Sequence, residues 1–173
     1  MGAYSTIMGK APEFRNISGW INSEPLTLNG LRGRIVFLDF WTYGCCNCQN
    51  TLPEMKKLHA NYGKKGLVII GVHTPEFPYE RKRENVERAV ASAGLTYPIA
   101  LDSDNTTWKL YGNHYWPRQT IIDEEGEVAY EHAGEGSYRE IEVKVVELLG
   151  GAKAGAGVGD PSDTIVGTTA RVA

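Results

Sequence analysis

Apolar positions along the chain predict strands and helices arranged around one central strand. Residues 35–38 form an apolar run without polar alternation, and Asp39 follows it directly. Such a run is typical of a strand buried on both faces of a parallel sheet, so a strand is predicted over residues 34–41. Apolar side chains then recur at helical spacing over residues 45–62, and a second apolar strand follows over residues 67–72. This strand–helix–strand order predicts a sheet that is at least partly parallel.

The rest of the chain adds shorter elements and two flanking segments. The predicted elements are an N-terminal β-hairpin over residues 20–28, a strand over 97–101, a hairpin over 119–131, and helices over 79–93, 104–111 and 137–149. Residues 1–19 show no periodicity, and residues 150–173 are rich in Gly and Ala, which predicts a tail or linker. We therefore expect one α/β domain over residues 20–149.

Composition and charge are those of a soluble globular protein. The chain has 173 residues, of which 42% are hydrophobic and 23% charged, so it can bury a core of its own. A net charge of −3 and no long Lys/Arg block argue against a nucleic-acid partner, which requires a concentrated basic surface. No stretch approaches the ~20 apolar residues of a membrane helix, and the first twenty residues lack the apolar segment of a signal peptide.

Three cysteines lie within four consecutive residues at the predicted start of the first helix. Cysteines so close together do not form a disulfide framework, so they indicate redox or metal chemistry. Cys45 falls in the first turn, where free N–H groups and the helix dipole stabilise a thiolate. Cys48 lies one turn later, within disulfide reach, so the pair can cycle between dithiol and disulfide.

These cysteines and their neighbours resemble the active-site motif of the thioredoxin superfamily. The family spacing is matched by Asp39, Trp41, Cys45, Cys48 and the helix-kinking Pro53. Four segments are similar, in the same order, to the extracytoplasmic thioredoxin-like domain of the DipZ proteins: residues 39–43, 71–77, 115–117 and 122–123. The DipZ proteins in turn resemble TlpA-type reductases. The resemblance covers roughly residues 20–149, and its ordered motifs are more specific than a C-x-x-C alone.

The resemblance implies a thioredoxin-like three-layer α/β/α sandwich with a mixed sheet, extended by the predicted N-terminal β-hairpin. It also implies a protein thiol-disulfide oxidoreductase without a cofactor, in which Cys45 is the attacking thiolate and Cys48 the resolving thiol. Burial should raise the pKa of Asp39, which would let this carboxyl group exchange a proton with Cys48. A partly solvated Asp39 at the strand end is the alternative.

Four residues are predicted to contact the substrate. The superfamily has a cis-proline beside its cysteines, and Trp116 and Pro117 stand at that position; an ordinary trans proline is the alternative. Exposed backbone there can pair with an extended substrate. Trp41 belongs to the family motif, and Gly44 stands where thioredoxin has a tryptophan. The substrate contacts should therefore differ from those of thioredoxin.

Two further residues are candidate modulators of the cysteines. Cys46 stands where the DipZ relatives usually have an apolar residue, and a disulfide between adjacent cysteines would be strained. We expect Cys46 to have no catalytic role, and to be either functionally neutral or a site of mixed disulfides. Glu76 follows the strand over residues 67–72, at the carboxyl edge of the sheet, where an acidic residue modulates the cysteines of some TlpA-type reductases. A solvated or capping role for Glu76 is the alternative.

The resemblance further implies partners outside the cytoplasm. The substrates would be exported, disulfide-containing proteins or cytochrome c maturation components, and a CcdA-like membrane domain would supply the electrons. The protein would act as a monomer in an extracytoplasmic compartment, periplasmic or at the cell surface. Its leader or membrane anchor would then be absent from this chain.

A copper-binding assembly factor is the rival hypothesis. Thioredoxin-like copper carriers use two cysteines and a histidine, and Cys45, Cys48 and His114 could supply soft and imidazole ligands. Those carriers space their cysteines by three residues, whereas two separate Cys45 from Cys48 here. A peroxidase is also weakly indicated by Thr42, three residues before Cys45 as in peroxiredoxins, but the proline expected ahead of it is missing. We therefore favour the oxidoreductase without a bound metal.

Overall fold

A six-stranded mixed sheet forms the centre of the fold in the computed structural model, which describes residue 7 and residues 9–152. The strands are β1 (Trp20–Ile21), β2 (Ile35–Trp41), β3 (Leu67–His73), β4 (Ile99–Leu101), β5 (Arg118–Ile122) and β6 (Val128–Ala133). Their order is β1-β4-β3-β2-β5-β6. The neighbours β2, β3 and β4 run parallel, and the pairs β1–β4, β2–β5 and β5–β6 are antiparallel. The predicted mixed sheet is confirmed.

Helices and the N-terminal segment cover the two faces of the sheet. The helices are α1 (Cys46–Tyr62), α2 (Arg83–Ala93), α3 (Thr106–Leu110) and α4 (Tyr138–Ala152). Buried side chains of α1, α2 and α4 share one core cluster with one face of the sheet. The second core cluster joins α3 to the other face, and Phe14 and Ile17 pack against it. The architecture is therefore the predicted three-layer sandwich.

The central strand β2 explains why the sheet carries helices on both faces. All seven of its residues are buried, and alternate residues point to opposite faces. Ile35, Phe37 and Trp41 belong to the cluster with α1, whereas Val36 and Phe40 belong to the cluster with α3. Asp39 has the same parity as Ile35 and Phe37. Its carboxyl group therefore lies on the face that packs under the cysteine-bearing helix.

The predicted N-terminal β-hairpin is wrong. Residues 20–21 form a short strand that pairs with β4, and no return strand follows among the described residues. A 3₁₀ turn at Asn29–Leu31 comes next, and Leu28 and Leu31 are buried against the sheet. The apolar alternation that favoured a hairpin therefore reflects individual side chains buried against the sheet, and not two paired strands. Pro25 within it also lacks the N–H that a paired strand donates.

Several helix boundaries differ from those predicted. The helix predicted from residue 79 begins at Arg83, because Pro78–Arg81 forms a separate 3₁₀ turn. The helix predicted over residues 104–111 is confined to Thr106–Leu110. The last helix continues past Gly150 to Ala152. The rest of the predicted tail, residues 153–173, lies outside the described residues.

The segment before β1 lies against the sheet. Ala11 donates a backbone hydrogen bond to Gly126, and Val128 donates one to Gly9, so the chain is tied to the turn between β5 and β6. The Tyr111 hydroxyl donates a hydrogen bond to the carbonyl of Pro12. None of the helices in the described ranges is long and apolar enough to cross a membrane.

Candidate active site

The two cysteines of the C-x-x-C pair lie at the N-terminus of α1. Cys45 is the N-cap residue in an extended conformation, and its Sγ atom accepts a hydrogen bond from the backbone N–H of Cys48 at 3.2 Å. An acceptor at this position is stabilised further when it is negatively charged, because the helix dipole points toward it. Cys45 is partly exposed, Cys48 is 1% exposed, and both are free thiols. Cys45 is therefore the thiol of the pair that a substrate can reach.

Cys48 lies behind Cys45, within the core cluster beneath α1. Burial raises the pKa of the Cys48 thiol, and the contact with Cys45 and the negative charge of Asp39 raise it further, against a hydrogen bond with the Thr42 backbone. Cys48 is consequently protonated in the reduced protein. It can act as a nucleophile only after a nearby base has taken its proton.

Asp39 is the buried carboxyl group on this face of the sheet. Its side chain is 1% exposed, and burial raises its pKa from 3.8 to about 7. The side-chain amide of Gln119 on β5 opposes the shift by donating a hydrogen bond from Nε2 to Asp39 Oδ1 at 3.2 Å. The predicted burial and raised pKa are confirmed, and the solvated alternative is wrong. A carboxyl group that titrates near neutral pH can both take up and release a proton.

The bond between Trp116 and Pro117 is cis, as the sequence predicted. Pro117 precedes β5, which pairs with β2, so the loop lies at the sheet edge where β2 leads into the cysteines. The Trp116 indole donates a hydrogen bond from Nε1 to the Thr74 carbonyl at 2.9 Å and stacks on Trp108 at 4.0 Å. The Thr74 hydroxyl in turn donates to buried Asp102. These contacts hold the cis-proline loop in one position beside the site.

Trp41 lies in the core and not at the surface, where the predicted contact with the substrate would require it. Its side chain is 1% exposed and packs edge-on against His73, with ring centroids 5.0 Å apart. The predicted substrate contact of Trp41 is therefore wrong, because the parity of β2 turns this residue into the core. Gly44, by contrast, is exposed immediately before Cys45. Trp116 is partly exposed and Pro117 is buried.

The acidic residue beside the active-site loop is Glu80 rather than Glu76. Glu76 is exposed, whereas Glu80 is 1% exposed, and a Cβ atom on Gly44 would lie 3.2 Å from Glu80 Oε1. Burial raises the pKa of Glu80, against hydrogen bonds from the backbone of Phe77 and Glu76. A sequence pattern could have predicted this arrangement. Pro78 starts a turn, and the side chain of an acidic residue at the third position of the turn, here Glu80, accepts hydrogen bonds from the backbone N–H groups at its start.

His73 supports the loop that carries the cysteines. Its ring is buried, Nε2 accepts a hydrogen bond from the Tyr43 backbone N–H at 3.3 Å, and the Thr42 hydroxyl lies 3.4 Å from the same atom. Burial lowers the pKa of His73 to about 3, so the ring stays neutral and keeps its acceptor. The carbonyl of Thr42 accepts the Cys45 N–H at 3.2 Å, which extends this support to the nucleophile. His73 therefore has a structural role in this loop.

The structure does not assemble the copper site of the rival hypothesis. His114 is exposed, and no group of three His, Cys, Asp or Glu side chains able to hold a metal occurs in the part of the chain that the structure describes. Cys46 is exposed on the first turn of α1. The hydrogen bond between the cysteines joins the Cys48 N–H to Cys45 Sγ, and Cys46 takes no part in it.

Comparison with known proteins places this geometry among redox proteins of the same fold. The AhpC/TSA family pattern matches residues 7–131. Protein DipZ of Mycobacterium tuberculosis is 43% identical over 159 residues, which cover 90% of this chain and 23% of that protein. The chain thus spans about a quarter of the length of DipZ. The thiol-disulfide oxidoreductase ResA of Halalkalibacterium halodurans is 32% identical over 129 residues, which cover 75% of this chain and 70% of ResA.

Solved structures agree with the sequence comparison. A DsbE-type thiol:disulfide interchange protein from Chlorobium tepidum superimposes with a TM-score of 0.74 at 27% identity, covering 84% of this chain and 99% of that one. The thioredoxin domain of a thiol-disulfide oxidoreductase from Bacteroides vulgatus gives a TM-score of 0.67 at 25% identity, covering 82% of this chain and 99% of that one. The chain therefore belongs to the AhpC/TSA family and has the thioredoxin-like fold, and its relatives include proteins named as thiol-disulfide oxidoreductases.

Proposed function

We propose that this oxidoreductase reduces disulfides of exported proteins through Cys45 and Cys48. The observation that carries the proposal is the asymmetry of the two thiols. Cys45 is partly exposed and its sulfur accepts a helix N–H, whereas Cys48 is buried on the same face as a carboxyl group that titrates near pH 7. One thiol suits attack from solvent, and the other suits an internal reaction.

The first step is attack by the Cys45 thiolate on one sulfur of the substrate disulfide. A bond forms between Cys45 Sγ and that sulfur, the substrate disulfide breaks, and the second substrate sulfur leaves as a thiolate that takes a proton from water. We propose that Gly44, which precedes Cys45, and the cis-proline loop at Trp116 and Pro117 hold the substrate backbone. The helix N-terminus stabilises the charge on Cys45 before the attack.

The second step is resolution by Cys48. The Asp39 carboxylate takes the Cys48 proton, and the Cys48 sulfur attacks Cys45 Sγ, which closes the enzyme disulfide and expels the remaining substrate thiolate. Two electrons have then passed from the enzyme to the substrate. The pKa of about 7 suits Asp39 to this role, because an appreciable fraction of the group is ionised at neutral pH.

Burial opposes a thiolate at Cys48, so this thiol suits the internal resolution step and not the first attack. The reducing direction is proposed from the similarity to DipZ and ResA. Glu80 adds a buried carboxyl group beside Gly44, and we propose that it modulates Cys45 in the role first assigned to Glu76.

The kinship with DipZ and ResA supports the setting of the reaction. We propose that the domain works as a monomer outside the cytoplasm, on exported proteins. The oxidised Cys45–Cys48 pair must be reduced again by a donor dithiol, and a CcdA-like membrane domain is the proposed donor. Both proposed steps use thiols and a carboxyl group of this chain together with the substrate disulfide, so the proposed reaction needs no cofactor.

The redox potential of the Cys45–Cys48 couple tests the direction. Equilibration with glutathione buffers, followed by mass spectrometry of alkylated protein, should give a potential nearer to the roughly −270 mV of thioredoxin than to the roughly −120 mV of DsbA. A Cys46→Ala background removes competing disulfides from the measurement. A potential near that of DsbA would reverse the proposed direction of electron flow.

A further inference from the structure

An exposed aromatic surface borders the active-site loop. It consists of Tyr43, Phe77 and Tyr79 and is called the aromatic shelf below. Phe77 is 46% exposed and Tyr79 is 52% exposed, and their rings stack 5.8 Å apart with an angle of 8°. The Tyr43 ring follows, 6.3 Å from Tyr79. Contiguous exposed apolar side chains of this size mark interaction sites in soluble proteins.

The shelf is held by hydrogen bonds, so its exposure is a fixed feature. The Tyr79 carbonyl accepts hydrogen bonds from the Tyr43 hydroxyl at 3.3 Å and from Asn85 Nδ2 at 2.9 Å. The Phe77 N–H is bound by Glu80 Oε1 at 3.3 Å. The Tyr43 ring also stacks on buried His73, with centroids 5.6 Å apart. A rigid aromatic surface loses little entropy when it binds a partner.

The shelf begins at Tyr43, two positions before the nucleophile Cys45. A Cβ atom on Gly44 would lie 3.5 Å from the hydroxyl oxygen of Tyr79, so this phenol reaches the position next to Cys45. Trp41, the aromatic residue of the family motif, is buried and unable to serve there. A substrate at Cys45 therefore meets the aromatic surface that Tyr79 forms beside Gly44.

We propose that the aromatic shelf binds a large apolar side chain, preferentially an aromatic one, that flanks the attacked cysteine in an extended substrate polypeptide. The inference rests on the proposed reaction at Cys45. Extended chain advances ~3.3 Å per residue, so side chains within about two positions of the attacked cysteine can reach Tyr79 and Phe77. An aromatic side chain gains both buried area and ring contacts there. The shelf thus selects substrates that expose apolar residues, as incompletely folded proteins do.

Two peptide disulfides test the proposal. They share one sequence and differ only in having Phe or Ala at the two positions flanking one cysteine. We expect the full chain to reduce the Phe peptide with a kcat/KM roughly tenfold higher than for the Ala peptide. This ratio should fall to near one in Phe77→Ser and Tyr79→Ser proteins and persist in Tyr79→Phe. Val146→Ser, an exposed apolar residue on α4, is the control and should retain the full ratio.

A kcat/KM ratio near one in the unaltered protein, or a ratio unchanged by both serine substitutions, would contradict the proposed role of the aromatic shelf. Binding of the same peptides to a Cys45→Ser protein, measured by fluorescence titration, gives an independent readout without turnover. If the protein reduces no disulfide but still binds the Phe peptide more tightly through Phe77 and Tyr79, the proposed function fails and the shelf stands. If it reduces both peptides equally and binds them equally, the shelf fails and the proposed function stands.

Discussion

Replacing Asp39 with Asn should stabilise the protein while slowing its chemistry. Burial raises the pKa of Asp39 from 3.8 to about 7, so the folded protein holds this proton more tightly than the unfolded chain does. Stability from this group is full below about pH 4 and is lost as the pH rises toward 7. At 1.36 kcal/mol per pH unit, the shift corresponds to a loss of up to about 4 kcal/mol in the unfolding free energy.

The Asn variant removes that loss and fits the same space. Its side-chain oxygen can keep the hydrogen bond from Gln119, and its N–H can donate to Gln119 Oε1, a buried atom without a hydrogen-bond partner among the described residues. Urea unfolding of both reduced proteins from pH 4 to pH 8 measures the effect. The difference between variant and wild type should grow with pH up to about pH 7 and then level off.

The same substitution should slow resolution of the mixed disulfide. Loss of a general base typically costs ~10²–10⁴-fold, so the step at Cys48 should slow by this order while attack by Cys45 changes little. Stopped-flow mixing with a chromogenic disulfide separates the two steps. The reasoning is refuted if Asp39→Asn destabilises the fold at pH 8 and leaves resolution unchanged. The carboxylate would then be a structural partner of Gln119.

Two further substitutions test the surroundings of the nucleophile. Cys46→Ala should keep disulfide reductase activity within about twofold of wild type, because this exposed thiol is outside the hydrogen bond that joins Cys45 and Cys48; an insulin-reduction assay that shows a loss as large as that of Cys45→Ser would contradict this. Glu80→Gln keeps the acceptor for the Phe77 N–H but removes the negative charge beside Gly44, so attack by Cys45 should quicken by roughly two- to tenfold at pH 8. An unchanged alkylation rate at that pH would exclude Glu80 as a modulator.

Local patterns were sufficient to predict the centre of the fold and most of the site. The uninterrupted apolar run in β2 predicts burial on both faces, and the helical spacing after Cys45 puts the cysteines at a helix start. The position of Asp39 at the end of the apolar run predicts its raised pKa. The family motif correctly identified Trp116–Pro117 as a cis peptide bond.

The errors had different causes, and only some of them lay in contacts that a local pattern leaves undetermined. The parity of β2 places Trp41 on the same face as Asp39, so the strand itself argued for a buried Trp41 against the family expectation of a substrate contact. Glu80, and not the predicted Glu76, lies beside the loop before Cys45, because the 3₁₀ turn at Pro78–Arg81 folds back onto that loop. Apolar alternation near β1 likewise predicts burial but leaves the pairing partner undetermined.

Trapping the mixed disulfide tests the central claim most directly. In a Cys48→Ser protein the first step can occur and the second cannot, so a substrate protein should remain bound through one disulfide. Tryptic mass spectrometry of this adduct is expected to find the substrate cysteine joined to Cys45, and Cys45→Ser/Cys48→Ser should form no such adduct there. Attachment at Cys46, or formation of the adduct in a Cys45→Ser protein, would contradict the assignment of Cys45 as the attacking thiol.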